Sequence, residues 1–272
     1  MADLLRTLFG TSHPVVGMVH LLPLPGSPRW AGDFGRVLDR AVRDAKALRA
    51  GGAHGFVVEN YGDLPFLPGA VGPECAAAMA VALRACREAT GLPGGVNVLR
   101  NDPVAALGMA LAGGGTYIRT NVHTGAMVTD QGILEGRAAE TMRARARLCA
   151  QGIAVFADVL VKHSVPLGER DPRHAARDAA ERGLADALLV TGPSTGARVE
   201  FRELAAVRDE VPRTPLLVAS GATPRDMPLV AALADGVLAG TTLKVGGKTA
   251  NAVDPARVRA LVEAAKRAWG RS

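Results

Sequence analysis

Aromatic side chains make up only 4% of this 272-residue chain, and its three cysteines, Cys75, Cys86 and Cys149, form no C-x-x-C pair. The first scarcity argues against a single-stranded nucleic-acid platform, which interleaves aromatic rings with basic residues. The second removes the usual signs of a disulfide framework or a zinc knuckle and leaves the cysteines as small buried hydrophobes in or beside helices. There is no H-x-H and no H-E-x-x-H, so no metal is expected, and nothing calls for an organic cofactor. No run approaches the roughly eighteen apolar residues that cross a bilayer. The start, Met-Ala-Asp-Leu-Leu-Arg-Thr, lacks the charged-then-apolar order of a signal peptide. These absences predict a cytoplasmic chain without an integral membrane segment, with peripheral membrane association left open.

The net charge of +6 raises the question of an anionic polymer as partner. Many of the arginines, however, share helix faces with acids, as in Arg36, Asp39, Arg40, Arg43 and Asp44. That pattern describes a solvated surface and not a nucleic-acid footprint, because charge alone carries little specificity. The partner expected is a small-molecule substrate, and the chain is expected to form a homo-oligomer.

With 48% hydrophobic residues and no Pro/Ser-rich linker, residues 1–272 read as one domain. That length suits a single (β/α)8 TIM barrel, which commonly takes about 250 residues. Eight short β-rich runs alternate with amphipathic stretches: Val15–Leu21, Gly55–Glu59, Gly95–Leu99, Tyr117–Asn121, Ala154–Leu160, Ala187–Thr191, Pro215–Ala219 and Gly236–Ala239. Such alternation implies βα units and a parallel sheet. An open doubly wound sheet fits less well, since the first run leads into Leu22-Pro23-Leu24-Pro25-Gly26 and not into G-x-G-x-x-G. Asp254-Pro255 supplies an N-cap and a first-turn proline for the last helix, while Gly113-Gly114-Gly115 reads as a tight turn before the fourth run. The long segments Tyr61–Pro73, Val122–Glu135 and Val161–Pro172 all follow runs, which puts the loops that carry function on one face.

The runs end in polar groups. Asp158 interrupts Ala154-Val155-Phe156-Ala157 and Glu59 closes Gly55-Phe56-Val57-Val58. Two carboxylates converging on a barrel mouth can divide acid and base work if their environments differ; a salt bridge from Asp158 to Lys162 or Arg119 is the structural alternative. His163 is the candidate proton shuttle. His20, Asn97, Arg100, Arg119, Asn121, Lys162 and Thr191 are candidate substrate contacts. Lys162 lies beyond its strand, on what reads as a loop, and is expected to be a hydrated anion-binding ammonium and not a Schiff-base amine. The runs Leu216–Gly221 and Gly236–Thr241 end in small residues that let backbone N–H groups approach an anion, so Ser220, Gly221, Gly240, Thr241 and Lys244 are assigned to phosphate. Ser194 and Thr195 join them. Their loop, Gly192-Pro193-Ser194-Thr195-Gly196, fits G-x-S-x-G by spacing, yet no histidine follows it to complete a triad.

Several of these strings together are specific: Gly17-Met18-Val19-His20-Leu21-Leu22-Pro23-Leu24-Pro25-Gly26, Asn97-Val98-Leu99-Arg100-Asn101-Asp102, Phe156-Ala157-Asp158-Val159 with Lys162-His163, and Gly240-Thr241-Thr242-Leu243-Lys244. The chain resembles the BtpA/SgcQ family from about Leu8 to Trp269. That resemblance implies a barrel of the phosphate-binding type. The family's founding member is associated with photosystem I biogenesis, other members occur in sugar or nucleoside contexts, and some carry a nucleosidase label. One departure is visible, Asn251-Ala252-Val253-Asp254 where the family has Asn-Pro-Val-Asp, and it puts the turn before the last helix in question. The expected function is an enzyme acting on a ribosyl, nucleoside or sugar-phosphate compound, foremost a nucleosidase-like hydrolase of a glycosidic bond. The alternatives are a sugar-phosphate isomerase, epimerase or aldolase, and a non-catalytic biogenesis factor for a membrane complex.

Overall fold

The computed structural model describes residues 4–168, 171–192 and 194–270. Eight parallel strands close on themselves: β1 (Val15–His20), β2 (Gly55–Glu59), β3 (Gly94–Asn97), β4 (Tyr117–Thr120), β5 (Ala154–Val159), β6 (Ala187–Val190), β7 (Leu216–Ala219) and β8 (Gly236–Ala239). β1 pairs with both β2 and β8, so no edge is left open. The strands are buried on both faces, which is why they read as nearly continuous apolar runs. Alternate residues separate into two cores. Val16, Met18, Val57, Tyr117, Phe156, Leu189, Leu217 and Leu238 fill the barrel, while Val15, Val19, Phe56, Val58, Val155, Leu188 and Val218 pack outward.

The helices are α1 (Leu4–Phe9), α2 (Phe34–Ala50), α3 (Pro73–Thr90), α4 (Pro103–Gly113), α5 (Ala138–Arg147), α6 (Pro172–Arg177), α7 (Phe201–Glu210), α8 (Met227–Leu233) and α9 (Pro255–Trp269). Asp33, Asp102 and Asp254 each accept a backbone N–H at the start of a helix, and proline takes a first-turn position in α4 and α9. The turn before α9 is intact despite Ala252: Val245 donates to the Ala252 carbonyl, and Asp254 donates through its backbone to Leu243. Gly114 ends α4 in the left-handed conformation at φ 73°, as a tight turn there requires.

Two features differ from the sequence expectations. Helix α1 precedes the barrel and plugs its floor, with Phe9 edge-on to Tyr117 at a centroid distance of 5.3 Å. The segment read as a loop over Val122–Glu135 holds an antiparallel hairpin, Ala126–Thr129 against Gly132–Glu135, and Ser164–Pro166 from the loop after β5 pairs with its first strand. Val122, Met127, Leu134 and Val161 form a small core beneath this side sheet. Pro193 and residues 1–3, which entered the loop and leader readings, lie outside the described residues.

Candidate active site at the barrel mouth

The inward phase of each strand continues from the apolar core into a polar tier. Val16 and Met18 lead to His20, Val57 to Glu59, Tyr117 to Arg119 and Asn121, and Phe156 to Asp158, each at a spacing of two. Register then sets His20 beside Glu59, Glu59 beside Asn97 and Asn97 beside Arg119 around the wall. Asn97 Nδ2 donates to Glu59 Oε2 at 2.6 Å, and His20 Nε2 stands 3.5 Å from Glu59 Oε1. Burial, followed by the charges of Lys244 and Lys162, holds the His20 pKa well below 6.5, so its imidazole is neutral near neutral pH. Its ring lies against Tyr61 at 4.8 Å.

Asp158 takes the structural alternative. Arg119 Nε and Nη2 donate to its two oxygens at 3.0 Å each, and Asn121 Nδ2 adds a third bond at 2.7 Å. Its side chain is wholly buried and absent from the cavity wall. A bidentate guanidinium–carboxylate pair fixes direction as well as charge. Asp158 therefore aims Arg119 and Asn121 at the mouth, and Glu59 is the strand-end carboxylate that meets open space.

A cavity of about 570 Å³ opens above this tier. Its lining combines Arg100, Arg119, Lys162 and His163 with Tyr61, Leu64, Phe66 and Leu99. Asp130, at the tip of the hairpin, completes it. Lys162, on the loop beyond β5, is half-buried and faces the cavity. Burial and the neighbouring Arg119 lower its pKa, partly offset by Glu59 and Asp158. Arg100 Nη2 donates to the Lys162 carbonyl at 2.6 Å and ties the loop after β3 to that after β5. His163 is exposed, and its Nε2 accepts from the Thr195 N–H at 3.0 Å and lies 2.8 Å from Thr195 Oγ1.

Deeper in the mouth, a narrow cleft gathers His20, Glu59, Arg119 and Lys162 with Thr195, Ser220, Gly240 and Thr241. The other candidate phosphate contacts fall elsewhere. Lys244 is fully buried and bonds Asp44 at 3.1 Å. A lysine shut away from water needs a matching charge, and Asp44, which also accepts the Val253 N–H, supplies it. Gly221 serves packing: at φ 71° it lets the loop after β6 pass so close that a Cβ would sit 1.9 Å from the Ala197 carbonyl oxygen. Ser194 is exposed. Thr191 is buried, its hydroxyl unpartnered, and lines a small adjoining cavity with Lys162, Glu200 and Glu203.

Tyr61, Leu64, Leu99 and Asp130 carry no sequence signal that marks them for the mouth, and the inward turn of Phe66 depends on the chain path. That path is pinned in part by Asn60, whose amide bonds both the N–H and the carbonyl of Leu99. Asn97 and Asn121 each keep a buried amide oxygen without a partner, and of the two only Asn121 lines the cavity.

Searches for similar proteins agree with this architecture. Among solved structures, thiamine phosphate pyrophosphorylase from Pyrococcus furiosus superposes with a TM-score of 0.61 at 14% identity, covering 94% of this chain and 97% of that one. N-(5'-phosphoribosyl)anthranilate isomerase from the same organism gives 0.57 at 14% identity, with 94% and 100% covered. At these identities the likeness concerns the fold. Closer in sequence are the photosystem I biogenesis protein BtpA of Synechocystis sp., 42% identical over 96% of this chain and 91% of its own length, and the sgc region protein SgcQ of Escherichia coli, 35% identical over 95% and 96%. A model of the BtpA family matches residues 11–267, and the chain belongs to that family.

Proposed function

We propose that this protein is an enzyme that binds a ribosyl or other sugar-phosphate compound in the barrel mouth and moves protons on its sugar with Glu59. The carrying observation is that Arg119, Lys162 and Glu59 line both the 570 Å³ cavity and the cleft beneath it. Cations there suit a phosphate, Asn121 on the cavity wall suits a hydroxyl, and Glu59, fixed by Asn97, is a base with one defined direction. The barrel neighbours named above for phosphate compounds support the sugar-phosphate reading by analogy of fold.

The reaction class follows from the count of carboxylates that reach the ligand. Shifting a proton next to a carbonyl, as an isomerase or epimerase does, needs one base. Hydrolysis of a glycosidic bond ordinarily needs two carboxyl groups flanking it. With Asp158 enclosed under Arg119, a nucleosidase-like hydrolase would have to pair Glu59 with Asp130, which lines the same cavity and keeps that as a second reading. A biogenesis role finds its support in the outer face of the side sheet, where Ile133 and Val165 are 57% and 66% exposed.

The test is a turnover screen by NMR in deuterated water, using ribose 5-phosphate and nucleoside 5'-phosphates. Deuterium exchange next to the sugar carbonyl is expected, reduced by about 100-fold or more in Glu59→Gln. Release of free base would select the hydrolase. No turnover and no binding, with stable capture on a membrane complex, would overturn the enzyme reading.

A further inference from the structure

The cations at the mouth are not equivalent. Arg119 is committed to Asp158 and Arg100 to the Lys162 carbonyl, whereas the Lys162 ammonium meets no carboxylate within ion-pair distance and no hydrogen-bond partner among the described residues. Its place is nevertheless built with care. Leu160 and His163, on either side, both hold positive φ angles of 51° and 57°, a conformation disfavoured for side-chain-bearing residues and tolerated where surroundings impose it. The Arg100 bond clamps the intervening carbonyl. Lys162 thereby stands where the outer cavity meets the cleft that holds Glu59 and His20. A lysine kept only to bind an anion would not need to sit over the base.

We propose that Lys162 is a nucleophilic amine that forms an imine with the carbonyl carbon of an open-chain sugar phosphate. The inference rests on the sugar-phosphate reading above and adds a covalent step to it. The Lys162 ammonium first gives one proton to the Glu59 carboxylate in the shared cleft. The Nζ lone pair then attacks the carbonyl carbon, the π electrons move to oxygen, and a proton passes from the nitrogen to that oxygen to give a carbinolamine. Glu59 returns its proton to the hydroxyl, which leaves as water as the nitrogen lone pair forms the C=N bond. Amine and carbonyl become imine and water, nothing is oxidised or reduced, and hydrolysis reverses the step. The protonated imine withdraws electrons from the adjacent C–H, the bond Glu59 is placed to act on. Desolvation beside a second cation keeps more of such an amine neutral and reactive.

The experiment treats the full-length protein with ribose 5-phosphate or dihydroxyacetone phosphate in the presence of cyanoborohydride and maps adducts by peptide mass spectrometry. Calorimetric binding of ribose 5-phosphate is measured in parallel. The expected result is one reduced adduct at Lys162, enriched over Lys46, Lys248 and Lys266 and suppressed by inorganic phosphate. Lys162→Arg, which keeps the charge and removes the nucleophilic amine, should lose the adduct. Binding with no enrichment at Lys162 in the wild-type protein overturns the covalent step and leaves the sugar-phosphate reading standing. Absence of binding overturns both.

Discussion

Asp158 stands behind the barrel mouth and not on its wall. Its carboxylate balances the charge of Arg119, and both side chains are deeply buried, Arg119 with an edge on the cavity. Removing one partner leaves the other buried and uncompensated, which costs about 3–5 kcal/mol. Asp158→Ala should lose stability of that order in urea unfolding, and Asp158→Asn, which keeps part of the hydrogen bonding, should lose less. The buried histidines act on stability through pH. Burial is the leading cause that lowers the pKa of His20, His54 and His123, with His20 moved furthest into the neutral range. The unfolded chain, titrating near 6.5, takes up protons first, so this contribution is complete above about pH 6.5 and falls away as pH drops toward the lowered folded values. Unfolding free energies measured at about pH 7 and about pH 5 should differ less in His20→Asn than in the wild type; an unchanged difference would contradict the assignment. At this scale the strand-end residues His20, Glu59, Asn97, Arg119 and Asp158 were legible, because a period of two carries the inward phase past the apolar run. The partners were not. Lys244 meets Asp44 from 200 residues away, and no local pattern in either segment announces that pair.

At the level of elements, the eight strands were legible within a residue or two at most ends, since each is a short apolar run closed by polar or small residues. The side sheet was not. Its hairpin turns through Asp130-Gln131 and not through an Asn-Gly or Asp-Gly pair, its strands are four residues long, and its third strand comes from a different loop. Pairing of that kind depends on the barrel first bringing the two loops together. It also predicts a unit less stable than the barrel. Leu134 belongs to a four-residue core, and truncating such a side chain costs about 2–5 kcal/mol. Leu134→Ala should speed amide hydrogen exchange across residues 126–135 while exchange in β1 to β8 stays slow. Uniform acceleration through the barrel would show that the side sheet is not a separate cooperative unit.

The whole molecule gathers its polar strand ends and long loops at one end. Helix α1 fills the floor with Leu5 and Phe9, the strands fill the middle with apolar side chains, and the loops after β2, β3, β4 and β5 raise the walls of the mouth. The +6 charge of the chain draws anions toward it, and the cavity adds Arg100, Arg119 and Lys162 at short range. The most direct measurement is calorimetric titration of ribose 5-phosphate into the wild-type protein and into Arg100→Ala. The account predicts one saturable site, competed by inorganic phosphate and weakened by added salt. Loss of Arg100 should reduce affinity by about tenfold or more, the worth of a charged hydrogen bond. No saturable binding, or binding that Arg100→Ala leaves unchanged, would contradict it.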